Sequence, residues 1–190
     1  MKKVIFILTA FFLQTAVFAQ QTWKSDKAHS KLTFSVTHMG ISDVTGLFKT
    51  FDVTITSSKP DFSDAVFELT TDVSSINTES EMRDKHLQSA DFFDVANFPK
   101  FTFKSTSITK VADNKYKLTG DLTLHGVTKS VTLDLWYRGT ITNPMSKAPT
   151  AGFQLTGIIK RTDFNIGSKF PSAMLSDDVF IKADGEFAAQ

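Results

Sequence analysis

The chain has 190 residues, 21 of them basic and 20 acidic, for a formal charge of +1, and it contains no Cys. Such a balance offers no electrostatic footprint for nucleic acid or an anionic membrane, and without Cys there are no disulfides and no thiol nucleophile. Phe is the anomaly, with 19 against two Trp and two Tyr; large rings without polar handles suit a wide apolar interior better than a wet surface.

Residues 1–19 open with Lys2-Lys3, run apolar from Val4 to Phe18 and end on Val17 and Ala19. That is the plan of a secretory signal, with cleavage expected between Ala19 and Gln20. A membrane anchor is the alternative, but Thr9, Gln14 and Thr15 interrupt the run, which is shorter than the ~20 residues a spanning helix needs. The mature chain, 20–190, is therefore expected to be a free soluble protein of the periplasm, with no stable membrane insertion. Without Lys2 and Lys3 the basic residues fall to 19 and the charge to −1. What remains is enough for a single domain with one ordinary core.

From Lys31, "KLTFSVTH" places Leu32, Phe34, Val36 and His38 on one face, the period of two that marks a strand. "TFDVTITS" repeats it with Phe51, Val53 and Ile55, "DAVFELTTD" with Ala65, Phe67 and Leu69, and "FTFKST" with Phe101 and Phe103. Tyr116, Leu118, Leu122 and Leu124 then alternate up to His125-Gly126, and Val127, Val131, Leu133 and Leu135 alternate away from it. A two-residue X-Gly connection between alternating arms reads as a tight hairpin, so His125 is expected as a left-handed turn residue rather than a catalyst. "TNPMSKAPTAG" is a loop. Strands follow with Phe153, Leu155, Gly157, Ile159 and Arg161 on one face, and then with Val179, Ile181 and Ala183. Counting "TWKSD", eight or nine strands run in sequence order, a meander that either closes as a barrel or stacks as a sandwich.

One segment breaks the pattern. "EMRDKHLQSADFFDVANFP", residues 81–99, clusters Arg83, Asp84, Lys85 and His86 before Phe92-Phe93. Thr78-Glu79-Ser80-Glu81 fits a capping box, and Glu79 with Arg83 and Glu81 with Lys85 are i, i+4 pairs, so a short helix is expected over about 79–89. Pro99 pushes Phe98 toward extended backbone and starts the next strand.

Chemistry is hard to find. The four His, at 29, 38, 86 and 125, are scattered, there is no G-x-S-x-G elbow, no His-x-His or His-x-x-x-His pair for a metal, and no phosphate-cradling Gly loop. No cofactor, no metal site and no catalytic residue are expected.

Four blocks, "DKAHSKLTFSVTHMGISDVTGLF", "SSINTESEMRDKHLQSADFFDVANFPKFTFKST", "GDLTLHGVTKSVTLDL" and "GIIKRTDFNI", resemble the successive signatures of the YceI-like family of polyisoprenoid-binding proteins, and the resemblance covers Trp23 to about Phe187. His29, Ser30, His38, Arg83, Asp84, His86, Leu87, Phe92, Phe93 and Arg161 fall on its motif positions. Two departures are Lys27-Ala28, where Pro often follows the Asp, and Asn165, where Gly often stands. The resemblance implies an all-β fold, an extended antiparallel eight-stranded lipocalin-like β-barrel with one short inserted helix, and a long prenyl chain held inside without established catalysis. The expected tail-binding residues are Phe34, Val36, Phe51, Val53, Phe67, Leu69, Phe101, Phe103, Leu118, Leu122, Leu133 and Leu135; His38, Arg83, His86 and Arg161 are expected at a polar head group or in closing the mouth. A polyprenyl phosphate or prenyl quinone is the leading ligand, and a fatty acid or fatty amide the rival. Two other classes stand beside this one: a packed, ligand-free barrel serving as a stress-related interaction module, and an enzyme using Arg83, Asp84 and His86. A homodimer is compatible with the sequence.

Overall fold

In the computed structural model residues 19–190 are described; the export signal expected over 1–19 lies, but for its last residue, outside them. Eleven strand segments form one antiparallel sheet: β1 (Gln21–Ser25), β2 (Lys31–His38), β3 (Ser42–Phe48), β4 (Phe51–Ser57), β5 (Val66–Asp72), β6 (Ile76–Asn77), β7 (Lys100–Ala112), β8 (Lys115–Leu124), β9 (Val127–Thr142), β10 (Pro149–Lys160) and β11 (Leu175–Ala189). They amount to eight long strands. β1 and β2 lie one after the other along the same edge of β11, β3 runs into β4 through Lys49-Thr50, and β5 into β6 through the tight turn Val73–Ser75. The alternation reading of eight or nine strands finds β1 and β2 as separate runs but misses two segments, β3 (Ser42–Phe48) and the short β6 (Ile76–Asn77).

The second and third breaks meet. The backbone N–H groups of Lys49 and Thr50 donate to Ser75 O and Ser75 Oγ, and Asp72 N donates to Thr50 O, so the polar groups freed by interrupting these two strands find one another. Closure follows from pairing β1 with β11, Trp23 opposite Ala189 and Ser25 opposite Phe187, which turns the meander into an eight-stranded barrel. The sandwich alternative is thereby excluded. The hairpin at His125-Gly126 forms as expected, with both residues at positive φ, and Asn165 adopts the left-handed conformation that its place requires.

One end of the barrel is plugged. Phe62, in the loop between β4 and β5, is 2 % exposed and meets Trp23 at 5.2 Å, Tyr137 at 5.0 Å and Phe153 at 5.0 Å between ring centroids. It does so at φ 58°, a conformation that costs an L-residue roughly 1–2 kcal/mol, and burial of a whole aromatic ring offsets that cost. Tyr116 donates its hydroxyl to Asp61 O at 2.6 Å. Asp64 staples the loop, accepting from Ser57 Oγ, Ser58 N and Lys59 N. Burial raises the Asp64 carboxyl, but these hydrogen bonds override it and hold the carboxyl at about 2.

A carboxyl depressed in the folded state stabilises above its unfolded pKa and loses that contribution as pH falls through the folded one. Comparing thermal melts of wild type and Asp64→Asn is expected to give a gap that is full above pH 3.8, narrows below it and closes near about 2. A gap independent of pH would remove this role.

Candidate functional site

Alternation along eight closed strands sends every second side chain inward. They do not fill the barrel. An apolar cavity of about 210 Å³ remains, and all twelve residues selected from the sequence as a tail wall lie on it, joined by Phe48, Phe93, Leu155, Val179 and Ile181. Phe48 went unnoticed because its strand did. Ser30 also reaches this wall, and its hydroxyl is buried without a hydrogen-bond partner.

Opposite the Phe62 plug the cavity meets a second pocket of about 290 Å³, the two sharing Phe34, Val36, Leu87, Phe92 and Leu175. Its rim brings together His38, Arg83 and His86, three of the four residues assigned to a mouth, along with Thr78, Phe170 and Met174, which sequence reasoning missed.

The helix here is α1 (Glu81–Gln88), and its cap corrects the sequence reading. Ser80, not Thr78, is the N-cap, accepting from Arg83 N at 3.4 Å, and Glu79 takes a positive φ that breaks the proposed capping box. Neither Glu79–Arg83 nor Glu81–Lys85 occurs among the ion pairs of the described residues. Arg83 and Asp84 instead clasp Thr78, which is 4 % exposed. Asp84 Oδ1 accepts from Thr78 N at 2.8 Å and Thr78 Oγ1 at 2.6 Å, while Arg83 donates through Nε to Thr78 Oγ1 at 2.8 Å and through Nη2 to Thr78 O at 2.6 Å. The clasp uses two of the five guanidinium N–H groups. The other three make no hydrogen bond among the described residues, and Arg83 is exposed on the pocket rim.

His86 sits edge-on to Phe92 at 5.0 Å and to Phe170 at 6.0 Å, its Nε2 3.6 Å from Asp91 Oδ2. Phe92 stacks on Phe170 at 4.9 Å, and Lys169 donates to Asp91 at 2.5 Å. The hydrogen bond from Lys169, then its charge, holds the Asp91 carboxyl below its ordinary value. These contacts join the α1 side of the mouth to the 162–175 loop. An exposed ion pair is worth at most about 1 kcal/mol, and the aromatic pair adds about 0.5–1.5 kcal/mol to what Phe92, 7 % exposed, gains by burial there.

Arg161 plays another part. At 3 % exposure it donates Nε to Ser176 O, Nη1 to Ile166 O and Gly167 O, and Nη2 to Phe170 O and Leu175 O. Five donors meet five carbonyls, so no donor remains for a head group. Arg161 closes the mouth from behind by holding the loop that presents Phe170 and Met174.

His29 is elsewhere. It pairs with Asp26 at 3.0 Å near Glu186, and the hydrogen bond to Asp26 raises its pKa. The trio of Asp26, His29 and Glu186 thus reads as an ion pair around a proton, and His29 is not among the residues of the pocket that His38 and His86 line.

Replacing Arg161 by Lys strands some of the five carbonyls, and each buried polar group left unpaired costs about 1–3 kcal/mol. Arg161→Lys is expected to be destabilised by about 2–4 kcal/mol in urea unfolding, with amide exchange rising first in 162–175. Unchanged exchange there would refute the anchoring role.

Comparisons with known proteins agree with this geometry. A family model described as a YceI-like domain matches residues 23–187. The UPF0312 protein SA2479 of Staphylococcus aureus is 39% identical over 167 residues, which is 86% of this chain and 95% of that protein. Among solved structures, the Campylobacter jejuni YCEI protein matches with a TM-score of 0.73 at 34% identity, over 80% of this chain and 88% of that one. Burkholderia cenocepacia BcnA matches at 0.74 and 27% identity, over 85% and 98%. A polyisoprenoid binding domain from Saccharophagus degradans, implicated in plant cell wall breakdown, shares the fold at TM-score 0.66 and 17% identity, over 89% and 98%. A closed eight-stranded barrel with its helix beside an open end, matched by the family over nearly the whole described chain, places this protein in the YceI-like family.

Proposed function

We propose that this protein is an exported carrier of a single long-chain isoprenoid lipid, a polyprenyl phosphate or prenyl quinone, held for transport, storage or sequestration in the periplasm. The observation that carries the reading is the cavity: an apolar lumen with one end plugged and the other opening on a pocket rimmed by His38, Arg83 and His86. Each methylene moved from water into such a lumen is worth about 0.8 kcal/mol. A long slim chain therefore binds well without polar contacts along its length. The name of the Saccharophagus domain supports the choice of ligand class, and the apolar run of residues 4–18 supports export.

In this reading Arg83 meets the head group, since its three spare N–H donors suit a phosphate or a carbonyl oxygen. Binding rather than catalysis is favoured by the site's makeup. Asp84 is committed to Thr78, and the hydroxyl of Ser89 donates to His86 O rather than to the ring.

Native mass spectrometry of the mature protein mixed with solanesol, a long polyprenyl alcohol, is expected to show one bound molecule. Leu155→Trp, which fills the lumen from β10, is expected to fold with a melting temperature close to wild type and to lose uptake. Uptake that persists with the lumen filled would place the ligand elsewhere, and wild type that takes up no solanesol would count against the carrier.

A further inference from the structure

Four inward positions of the barrel carry no side chain. Gly46 stands between Val44 and Phe48 on β3, Gly120 between Leu118 and Leu122 on β8, Gly157 between Leu155 and Ile159 on β10, and Gly185 between Ala183 and Phe187 on β11. None of the four has the positive φ that favours glycine. Their backbone accepts any L-residue, so space is what the glycines provide.

A wall side chain from the neighbouring strand occupies that space at Gly46, Gly120 and Gly157, and Ser30, just before β2, with Phe187 occupies it at Gly185. A methyl added at Gly46 would overlap Phe34 Cζ and come within 2.8 Å of Thr78 Cγ2, and one at Gly157 would overlap Leu133 Cδ2. At Gly120 it would come within 2.5 Å of Phe103 Cζ and of Lys104 O, and at Gly185 within 2.9 Å of Ser30 Oγ. Phe34, Phe103 and Leu133 thus lie flat along the sheet over a glycine instead of standing up in the lumen. A glycine in a strand interior loses packing and conformational entropy, and neighbouring side chains folded over it recover part of the loss.

We propose that Gly46 and Gly157 set the bore of the lumen, and that this width is what admits a methyl-branched prenyl chain as well as a straight alkyl chain. The inference rests on the reading that the lumen holds a lipid tail. Filling either glycine displaces Phe34 or Leu133, and for a side chain already pressed against the sheet the empty space lies toward the axis. A narrower lumen excludes branch methyls before it excludes a straight chain.

Gly157 is the better test position, because its neighbour is the flexible end of Leu133, whereas Gly120 meets backbone. Geranylgeraniol and palmitate serve as branched and straight probes, with affinities from displacement of a fluorescent fatty acid and stoichiometry from native mass spectrometry. Gly157→Ala is expected to weaken geranylgeraniol by about tenfold while palmitate changes by less than about twofold. The double variant Gly157→Ala with Leu133→Ala, which gives the displaced side chain's volume back, is expected to restore geranylgeraniol. A single variant that binds both probes like wild type, one that loses both equally, or a double variant without recovery overturns the role of the glycine. Wild-type protein that binds neither probe overturns the carrier reading and this inference together.

Discussion

An eight-stranded barrel is barely wide enough for its own side chains, and whether it is solid or hollow is decided by the volume of every second residue. In this chain the inward rows combine bulk with vacancy. The ring of Phe34 lies over Gly46 and that of Phe103 over Gly120. The lumen wall is apolar but for Ser30, Lys31, Thr33, Arg161 and Asp184. Everything functional follows from that choice, since a solid core would leave the mouth with nothing to guard.

The mouth divides its polar groups between architecture and solvent. Asp84 and two of Arg83's five donors hold Thr78, which lies between β6 and the Ser80 cap of the helix. Arg161 spends four of its five donors on carbonyls of residues 166–175 and the fifth on Ser176 O. A cation buried among carbonyls without a carboxylate is stable only when every donor is engaged, which explains an arginine rather than a lysine there. Between the two anchored walls the Asp91–Lys169 pair, the Phe92–Phe170 stack, Phe92 against Gly167 and His86 against Phe170 span the gap. Hydrogen-bonded clasps build each wall, and an ion pair and ring contacts join them.

Much of this was legible from residue order. Alternation assigned twelve wall residues to one interior, and the structure brings all twelve to one cavity; period two fixes the face of a side chain regardless of how the sheet closes. Closure itself was not legible, because pairing β1 with β11 joins the two ends of the described chain. The helix was placed by correct signals read wrongly. Thr78 and Glu81 have the spacing of a capping box, yet Thr78 is buried and its hydroxyl is drawn to Asp84 and Arg83, leaving Ser80 to cap. Local propensity names the residue types at a helix start, and tertiary burial chooses among them. Phe62 was invisible for a related reason: a lone aromatic in a turn-rich loop carries no periodicity, and only the assembled barrel shows an end for it to plug.

An empty lumen carries a cost that locates the need for these anchors. At roughly 24 cal/mol per Å³, a void of 210 Å³ forgoes on the order of 5 kcal/mol of packing, comparable with the whole stability of a small domain. Strands facing such a void resist collapse only if both rims are fixed. The Phe62, Trp23, Tyr137 and Phe153 cluster fixes one, and the Arg161 and Thr78 clasps fix the other. Whatever fills the lumen recovers part of the missing packing, so occupancy and stability rise together by linkage. The Phe62 plug lies at one end of the lumen and the Asp91–Lys169 junction at the other. That asymmetry leaves the two rims held by different means, an aromatic cluster at one and polar clasps at the other.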